Sequence, residues 1–188
     1  MSRTPQTTPG RSTILLALAL LVAAESIAAA TWLVLGRERV LGGFSALVAL
    51  VVMIGVIPVA EGRRSAFAER LLDRLFDACV LAALAWISRA TDPAVSMLAL
   101  AGLGASYVAA YERARGEGLG FRGFEAMAYR AVRQALLVVA LLTGWLELFL
   151  GVFLAVTALA AAVRASNVAA QERRRQLANW GIGEPGGA

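Results

Sequence analysis

The stretch EGRRSAFAERLLDRLFD, residues 61–77, decides the fold because it concentrates charges of both signs directly before a long apolar run. Within it, Glu69, Asp73 and Asp77 recur every four residues, so a helix places the three carboxylates on one face. The apolar run ACVLAALAWI follows at once, and acids that enter a bilayer are costly unless a cation or a polar ligand pairs with them. We therefore expect this acidic row to have a partner and the other segments to form a scaffold around it.

Composition places the chain among integral membrane proteins. Of its 188 residues 59% are hydrophobic, against roughly 45–50% in soluble domains. It has no histidine and one cysteine, Cys79, which excludes an intrachain disulfide and any ordinary zinc or haem site. A metal would have to be held by carboxylates, which favours Mg²⁺, Mn²⁺ or Ca²⁺. The net charge of +5 could suit nucleic acid, but in a chain this apolar it favours contact with an anionic membrane surface, so no nucleic-acid partner is expected.

The hydropathy pattern predicts an all-α fold with six transmembrane helices in one domain, residues 13–178. A disordered tail, 1–12, precedes this domain, and a flexible tail, 179–188, follows it. Between spans four and five the pattern predicts an interfacial helix with Phe121, Phe124, Met127 and Ala128 facing lipid. The predicted spans are 13–35, 40–60, a third from the charged stretch to residue 87, 94–111, 135–145 and 148–163.

Arginine placement predicts the orientation of the spans. With the N-terminus inside, the outside turns hold only Arg37, Arg39 and Arg89, and the other fifteen arginines lie on the inside. Both termini are then cytoplasmic, and the membrane is the bacterial cytoplasmic membrane. The acidic row, the basic tail and the segment YERARGEGLG, which is predicted as a polar loop, are expected on this same side.

Two interpretations of the acidic row stay open. It could hold a divalent metal that binds a phosphorylated or nucleotide-linked substrate, with nearby arginines contacting the phosphate. Alternatively, Glu69 and Asp73 pair with arginines in an interfacial salt-bridge network. The arginines in question are Arg63, Arg64, Arg70, Arg74, Arg113 and Arg115.

The pattern D-x-x-x-D at the start of a third helix resembles the second half of the CDP-alcohol phosphatidyltransferase signature, D-x-x-D-G-x-x-A-R, eight residues, then G-x-x-x-D-x-x-x-D. The segments DRLFDACVLAALAW and YERARGEGLG are also similar to bacterial members, so the resemblance covers about residues 61–175. It implies the six-helix bundle of that family. It also implies phosphatidyl transfer from CDP-diacylglycerol to a polar alcohol, with release of CMP and with Mg²⁺ or Mn²⁺ as cofactor.

Two registers of the resemblance are possible, with either Asp73 and Asp77 or Glu69 and Asp73 as the last two acids of the signature. The second register aligns without a gap and implies Glu69 as a metal ligand and Asp73 as the base that acts on the acceptor hydroxyl. Glu61 precedes Gly62 as a remnant of Asp-Gly. The implied metal ligands are therefore Glu61, Glu69, Asp73 and Asp77, and the implied phosphate-binding residues are Arg63, Arg64, Arg113 and Arg115.

The first half of the signature is missing, because Val48 and Val51 stand where its first two aspartates belong. Two functions are therefore left open. The chain is either a phosphatidyltransferase or a non-catalytic relative that acts as partner or regulator of an active membrane enzyme. The expected partners are membrane lipids, CDP-diacylglycerol, and a second copy of the chain or another membrane protein.

Overall fold

Six helices make up the computed structural model, which describes residues 11–56, 63–120 and 127–179. No strand occurs in these described ranges, so the predicted all-α class is confirmed. A π-helical turn, Val52–Val56, continues the second helix. The helices are α1 (Arg11–Leu35), α2 (Arg39–Val51), α3 (Arg63–Ser88), α4 (Pro93–Gly118), α5 (Met127–Thr143) and α6 (Leu146–Asn179).

Three helices of the described chain are long and apolar enough to cross a membrane. Their candidate spans are Thr13–Leu35, Pro93–Gly118 and Leu146–Arg174, and a shorter apolar helix covers Arg39–Gly55. The first of these spans has the bounds that the sequence predicts. Such helices are those of a membrane protein, because an apolar helix of about 20 residues matches the hydrocarbon thickness of a bilayer.

The helices close into a ring. Going round it, α1 packs against α2, α2 against α5, α5 against α6, α6 against α4, α4 against α3, and α3 against α1. α3 and α5 lie opposite each other across the ring, and their backbones come close at only a few residues. Long side chains therefore fill the space between α3 and α5, and this space holds the acidic row.

Two predicted boundaries differ from the structure. The segment after residue 111, predicted as a polar loop, continues α4 to Gly118, where Arg113 and Glu117 pair one helical turn apart. Similarly, α6 runs to Asn179, well beyond the predicted end of the sixth span at residue 163. Of the predicted interfacial helix, residues 127–128 begin α5, and the preceding part, with Phe121 and Phe124, lies outside the described residues.

Short turns join the helices at one end of the bundle. Asp92 caps α4 by accepting a hydrogen bond from the Val95 backbone N–H at 3.1 Å, and Pro93 occupies the first turn, where no N–H is needed. Gly144, with φ of +78°, forms the turn between α5 and α6, a conformation that favours glycine. We call this end the tryptophan end, because Trp32, Trp86 and Trp145 lie exposed there. The opposite end, where α3 and α5 begin and α4 ends, is the arginine-rich end.

Candidate functional site

The acidic row of α3 faces a matching row on α5. Arg130 donates a hydrogen bond to Glu69, with 2.5 Å between Nη2 and Oε1. One turn further along both helices, Arg133 and Gln134 reach Asp73. The two rows advance together because α3 and α5 run in the same direction through the bundle. The polar positions on α5 are spaced by three and four residues, so they share one helix face.

Asp73 is buried and receives hydrogen bonds on both carboxylate oxygens. Arg133 Nη2 lies 3.0 Å from Oδ1 and 2.9 Å from Oδ2, and Gln134 Nε2 donates to Oδ1 at 2.8 Å. The neighbouring Arg74 also donates to Oδ2. This carboxylate is therefore surrounded by donors, and hydrogen bonds from charged donors are stronger than those between neutral groups.

Asp77 lies one turn deeper and is fully buried, with 0% of its surface exposed. Its Oδ2 lies 2.9 Å from Arg133 Nη2 and accepts a hydrogen bond from Ser106 Oγ of α4. Arg74 in turn donates to the hydroxyl and the carbonyl oxygen of Ser106, at 2.7 and 2.8 Å. Two carboxylates and two guanidinium groups thus form a buried polar centre, Asp73, Asp77, Arg74 and Arg133, whose formal charges cancel.

A cavity of about 190 Å³ opens beside this centre at the arginine-rich end. In the described chain, six arginines and two carboxylates line it, together with a tyrosine and small side chains. This volume is below the roughly 300–1,000 Å³ of pockets that enclose whole small ligands, so it suits a compact charged group. The charged and aromatic lining residues are Arg70, Arg74, Arg113, Arg130, Arg133, Arg164, Asp73, Glu117 and Tyr129.

Tyr129 holds two of these arginines in position. The guanidinium carbon of Arg164 lies 5.1 Å from the centroid of its ring, and that of Arg133 lies 5.6 Å away. Both distances allow cation–π attraction, which also limits where the guanidinium groups can move. Arg164 donates one further hydrogen bond, to the Ala109 carbonyl oxygen at 3.3 Å.

Three polar atoms around the centre are buried without a hydrogen-bond partner among the described residues. They are Asp77 Oδ1, Arg133 Nε and Tyr129 Oη. Most buried polar atoms in proteins are paired, so such atoms mark places where water or a ligand can bind. Arg133 and Tyr129 both line the cavity, and a ligand there has a donor and a hydroxyl available.

The structure brings together part of the predicted phosphate-binding set. Arg113 lines the cavity, where its Nε donates to Glu117 at 2.9 Å. Arg115 lies on another side of α4 and lines an apolar groove between α4 and α6 instead. Arg63 and Arg64 are the first residues of α3, and their side chains lie outside the described set.

The carboxylates of this site are poorly placed to bind a divalent metal, because guanidinium groups already contact the oxygens that would serve as metal ligands. Among the described residues, no three His, Cys, Asp or Glu side chains converge in a group that could hold a metal ion. Glu69 pairs with Arg130 while Asp73 and Asp77 pair with Arg133, so the acids are separated by cations. Glu61 lies outside the described residues, and the metal site that the resemblance implies stays a prediction. The alternative interpretation of the sequence, a salt-bridge network, is confirmed for the Asp73–Arg74 pair. Glu69 pairs instead with Arg130, which that interpretation did not include.

Sequence reasoning missed the residues of α5 and α6. Arg130, Arg133 and Gln134 carry a detectable signal, because Arg133 and Gln134 follow Arg130 by three and four residues and so share one helix face, as the acids on α3 do. Arg164 is preceded by the apolar run of α6 and resembles an ordinary helix-end arginine, so its sequence gives no signal of its inward position. The assembled site is a cavity lined mainly by arginines, and it lies beside the buried polar centre, whose formal charges cancel. Neither protein-family models nor curated proteins give a match to this chain.

Proposed function

We propose that the chain is a multi-pass membrane protein that binds a phosphate-bearing membrane amphiphile in the cavity at the arginine-rich end. It does so as a non-catalytic relative of lipid-modifying enzymes, which presents or senses such a ligand for an active partner. One observation carries the proposal: six arginines and two carboxylates surround a space of phosphate-group size. Guanidinium groups bind phosphate oxygens through charge-assisted, bidentate hydrogen bonds.

Helix length and aromatic placement support the membrane setting. The 21 steps from Arg11 to Trp32 along α1 rise about 31 Å, which is close to the hydrocarbon thickness of a bilayer. Trp32, Trp86 and Trp145 are exposed at one end, as expected for a belt at the membrane interface. The arginine-rich end is then the cytoplasmic side, and all six helices cross the bilayer.

The electrostatic layout supports an anionic ligand. The buried polar centre is neutral by itself, so the remaining arginines of the lining supply an excess of positive charge at the mouth of the cavity. A lipid phosphate reaches this mouth from the cytoplasmic leaflet, where anionic headgroups concentrate. Arg164, Arg133 and Tyr129 offer donors toward it.

Binding in lipid nanodiscs tests this proposal. Phosphatidic acid is titrated against the purified protein in phosphatidylcholine nanodiscs, with Arg164→Gln as the site variant. Because a hydrogen bond to a charged group contributes about 1.5–3 kcal/mol, we expect the variant to raise Kd about tenfold or more. Arg89→Gln is the matched control, since Arg89 lies at the tryptophan end against the Trp86 ring. Equal affinity in wild type and Arg164→Gln, or an equal loss in Arg89→Gln, would contradict the proposal.

Phosphatidyl transfer is the second candidate, favoured by the position of Asp73 in the lining of the same cavity. In this reaction Asp73 takes the proton of the acceptor hydroxyl, the alcohol oxygen bonds to the lipid-bearing phosphorus, and CMP leaves with the electron pair of the broken P–O bond. The resemblance assigns Glu61, Glu69, Asp73 and Asp77 to Mg²⁺ or Mn²⁺, and binding of the metal would require Glu69, Asp73 and Asp77 to give up their arginine partners. The test is CMP release from CDP-diacylglycerol with either metal and a panel of polar alcohols. Release that Asp73→Asn abolishes supports the enzyme; no release with any alcohol supports the binding protein.

A further inference from the structure

A single carboxyl group lies on the outer surface of α1, halfway along its apolar length. The candidate span is Thr13–Leu35, and Glu25 is one residue from its midpoint. Its side chain is exposed, and within the described part of the chain it forms no hydrogen bond or ion pair. In the membrane setting proposed above, on which this inference rests, the carboxyl group faces hydrocarbon at the centre of the bilayer. Acids at that depth almost always face a polar partner.

The residues around this carboxyl form a continuous seam. They alternate at spacings of four and three along α1, and every one of them is exposed. This period of 3.5 residues is that of helices that pack along their whole length at a small crossing angle. The small side chains Ala24 and Ala28 flank the carboxyl and let a second helix approach closely. The seam consists of Ile14, Leu18, Leu21, Glu25, Ala28, Trp32 and Leu35.

We propose that the seam is a contact between two copies of this chain, α1 against α1, with the two Glu25 carboxyl groups hydrogen-bonded to each other. Both copies insert with the same orientation, so a two-fold axis along the membrane normal brings each seam residue to its own counterpart at the same depth. A carboxylic acid has one O–H donor and acceptor oxygens, so two such groups can satisfy each other by hydrogen bonds.

In the proposed dimer, contact of α1 with α1 of the second copy fits better than contact of α1 with another helix of that copy. In the described parts of the three candidate spans, Glu25 is the one charged side chain exposed near the middle. A contact between α1 and α4 or α6 of a second copy would therefore set the carboxyl against apolar side chains. Pairing of α1 with itself gives Glu25 a partner that is both donor and acceptor.

Disulfide cross-linking in native membranes tests the contact. In a Cys79→Ala background, Ala28→Cys introduces the only thiol, seven residues from the tryptophan end of α1. Leu100→Cys is the control at matched depth, seven residues from the start of α4 and also exposed. We expect oxidation to give a covalent dimer with Ala28→Cys at least tenfold more than with Leu100→Cys. Equal cross-linking at both positions overturns the proposal.

The role of the carboxyl is tested in the same background. Interhelical hydrogen bonds in membranes are modest, so Glu25→Leu should lower the Ala28→Cys cross-linked fraction at limiting protein density about fivefold or more. Glu25→Gln retains a donor and an acceptor and should stay near wild type. An unchanged fraction in Glu25→Leu overturns the carboxyl contact.

Co-purification of two differently tagged wild-type copies, without any cysteine, provides a second measurement that does not depend on a thiol. If purification through the first tag also recovers the second tag, the dimer is supported. If the second tag is not recovered, the dimer is overturned. Alkaline carbonate extraction separates this failure from that of the proposed function. A chain found in the soluble fraction refutes the membrane setting, whereas an embedded chain without a dimer refutes only the contact.

Discussion

Asp77 and Glu25 are both acids within apolar helices, yet the fold treats them in opposite ways. Asp77 is fully buried and meets Arg133, Arg74 and Ser106. Glu25 is exposed on the outer face of α1, and the described residues offer it no partner. A carboxyl in an apolar medium needs a donor or a counter-charge. The described chain supplies both to Asp77, and the proposed contact between two copies would supply a partner to Glu25.

Paired and unpaired charges also differ within the arginine-rich end, which has a buried layer and an outer layer. In the buried layer, Arg133 and Arg74 pair with Asp73 and Asp77, and together with Ser106 these pairs link α3, α4 and α5. In the outer layer, Arg164 interacts with a tyrosine ring and a carbonyl oxygen, neither of which cancels its charge. The buried layer therefore links three helices, whereas the outer layer keeps positive charge that its contacts do not neutralise, and the proposed ligand would bind this charge.

The largest effect is expected from Arg133→Leu, which removes the central cation and leaves two carboxylates without it. Breaking a buried pair by removing one partner costs about 3–5 kcal/mol. Arg133 is 1% exposed and contacts both Asp73 and Asp77, so we expect a loss at the upper end of this range. Thermal unfolding in detergent, followed by circular dichroism, measures the change in Tm.

Two variants show whether unpaired charge causes this loss. Arg164→Leu removes an arginine from the same cavity without leaving a carboxylate unpaired, and it should lower the free energy of unfolding by only about 1 kcal/mol. The double variant Arg133→Leu with Asp77→Leu replaces one buried pair by apolar groups and should recover much of the stability. Additive losses in the double variant would show that Arg133 acts through packing instead.

An intermediate loss of stability is expected from Glu69→Gln, which removes the charged partner of Arg130. Both side chains of this pair are 16% exposed, so the loss of stability should be about 1 kcal/mol. Because Arg130 lines the cavity, the released charge should lower the Kd for phosphatidic acid several-fold. Stability and affinity are thus expected to change in opposite senses.

The matched control for this substitution is Glu172→Gln on the exposed part of α6, where Gln176 donates to the carboxylate at 3.4 Å. It should leave both Tm and the Kd for phosphatidic acid unchanged. A Glu69→Gln protein that is less stable and also binds phosphatidic acid more weakly would contradict a ligand contact with Arg130.

The helices and the acidic row could be predicted from sequence, because hydropathy and four-residue spacing are local properties. The all-α class, the bounds of the first span and the shared face of Glu69, Asp73 and Asp77 depend on such patterns alone. Spacing alone marks a polar face on α5, but it does not identify that face as the partner of the acidic row, since this depends on which helices meet in the ring. Arg133 resembles a helix-end arginine that reaches toward water, and only the packing of α5 opposite α3 turns it inward. The polar segment after residue 111 was wrongly predicted as a loop, because the pairing of Arg113 with Glu117 stabilises a helix there.

The smallest effect on folding is expected from Glu25→Leu. It makes the same change of acid to leucine as Asp77→Leu, at a position where the described residues form no hydrogen bond or ion pair with the carboxyl. At protein concentrations where the chain is monomeric in detergent, Glu25→Leu should leave the free energy of unfolding within about 0.5 kcal/mol of wild type. Asp77→Leu removes a carboxylate from Arg133 and a hydrogen-bond acceptor from Ser106, and it should lower Tm clearly. The two melting curves, recorded side by side, measure this difference directly. A large loss in the Glu25→Leu monomer would mean that the carboxyl stabilises its own bundle, and the contrast between the inward and the outward acid would then disappear.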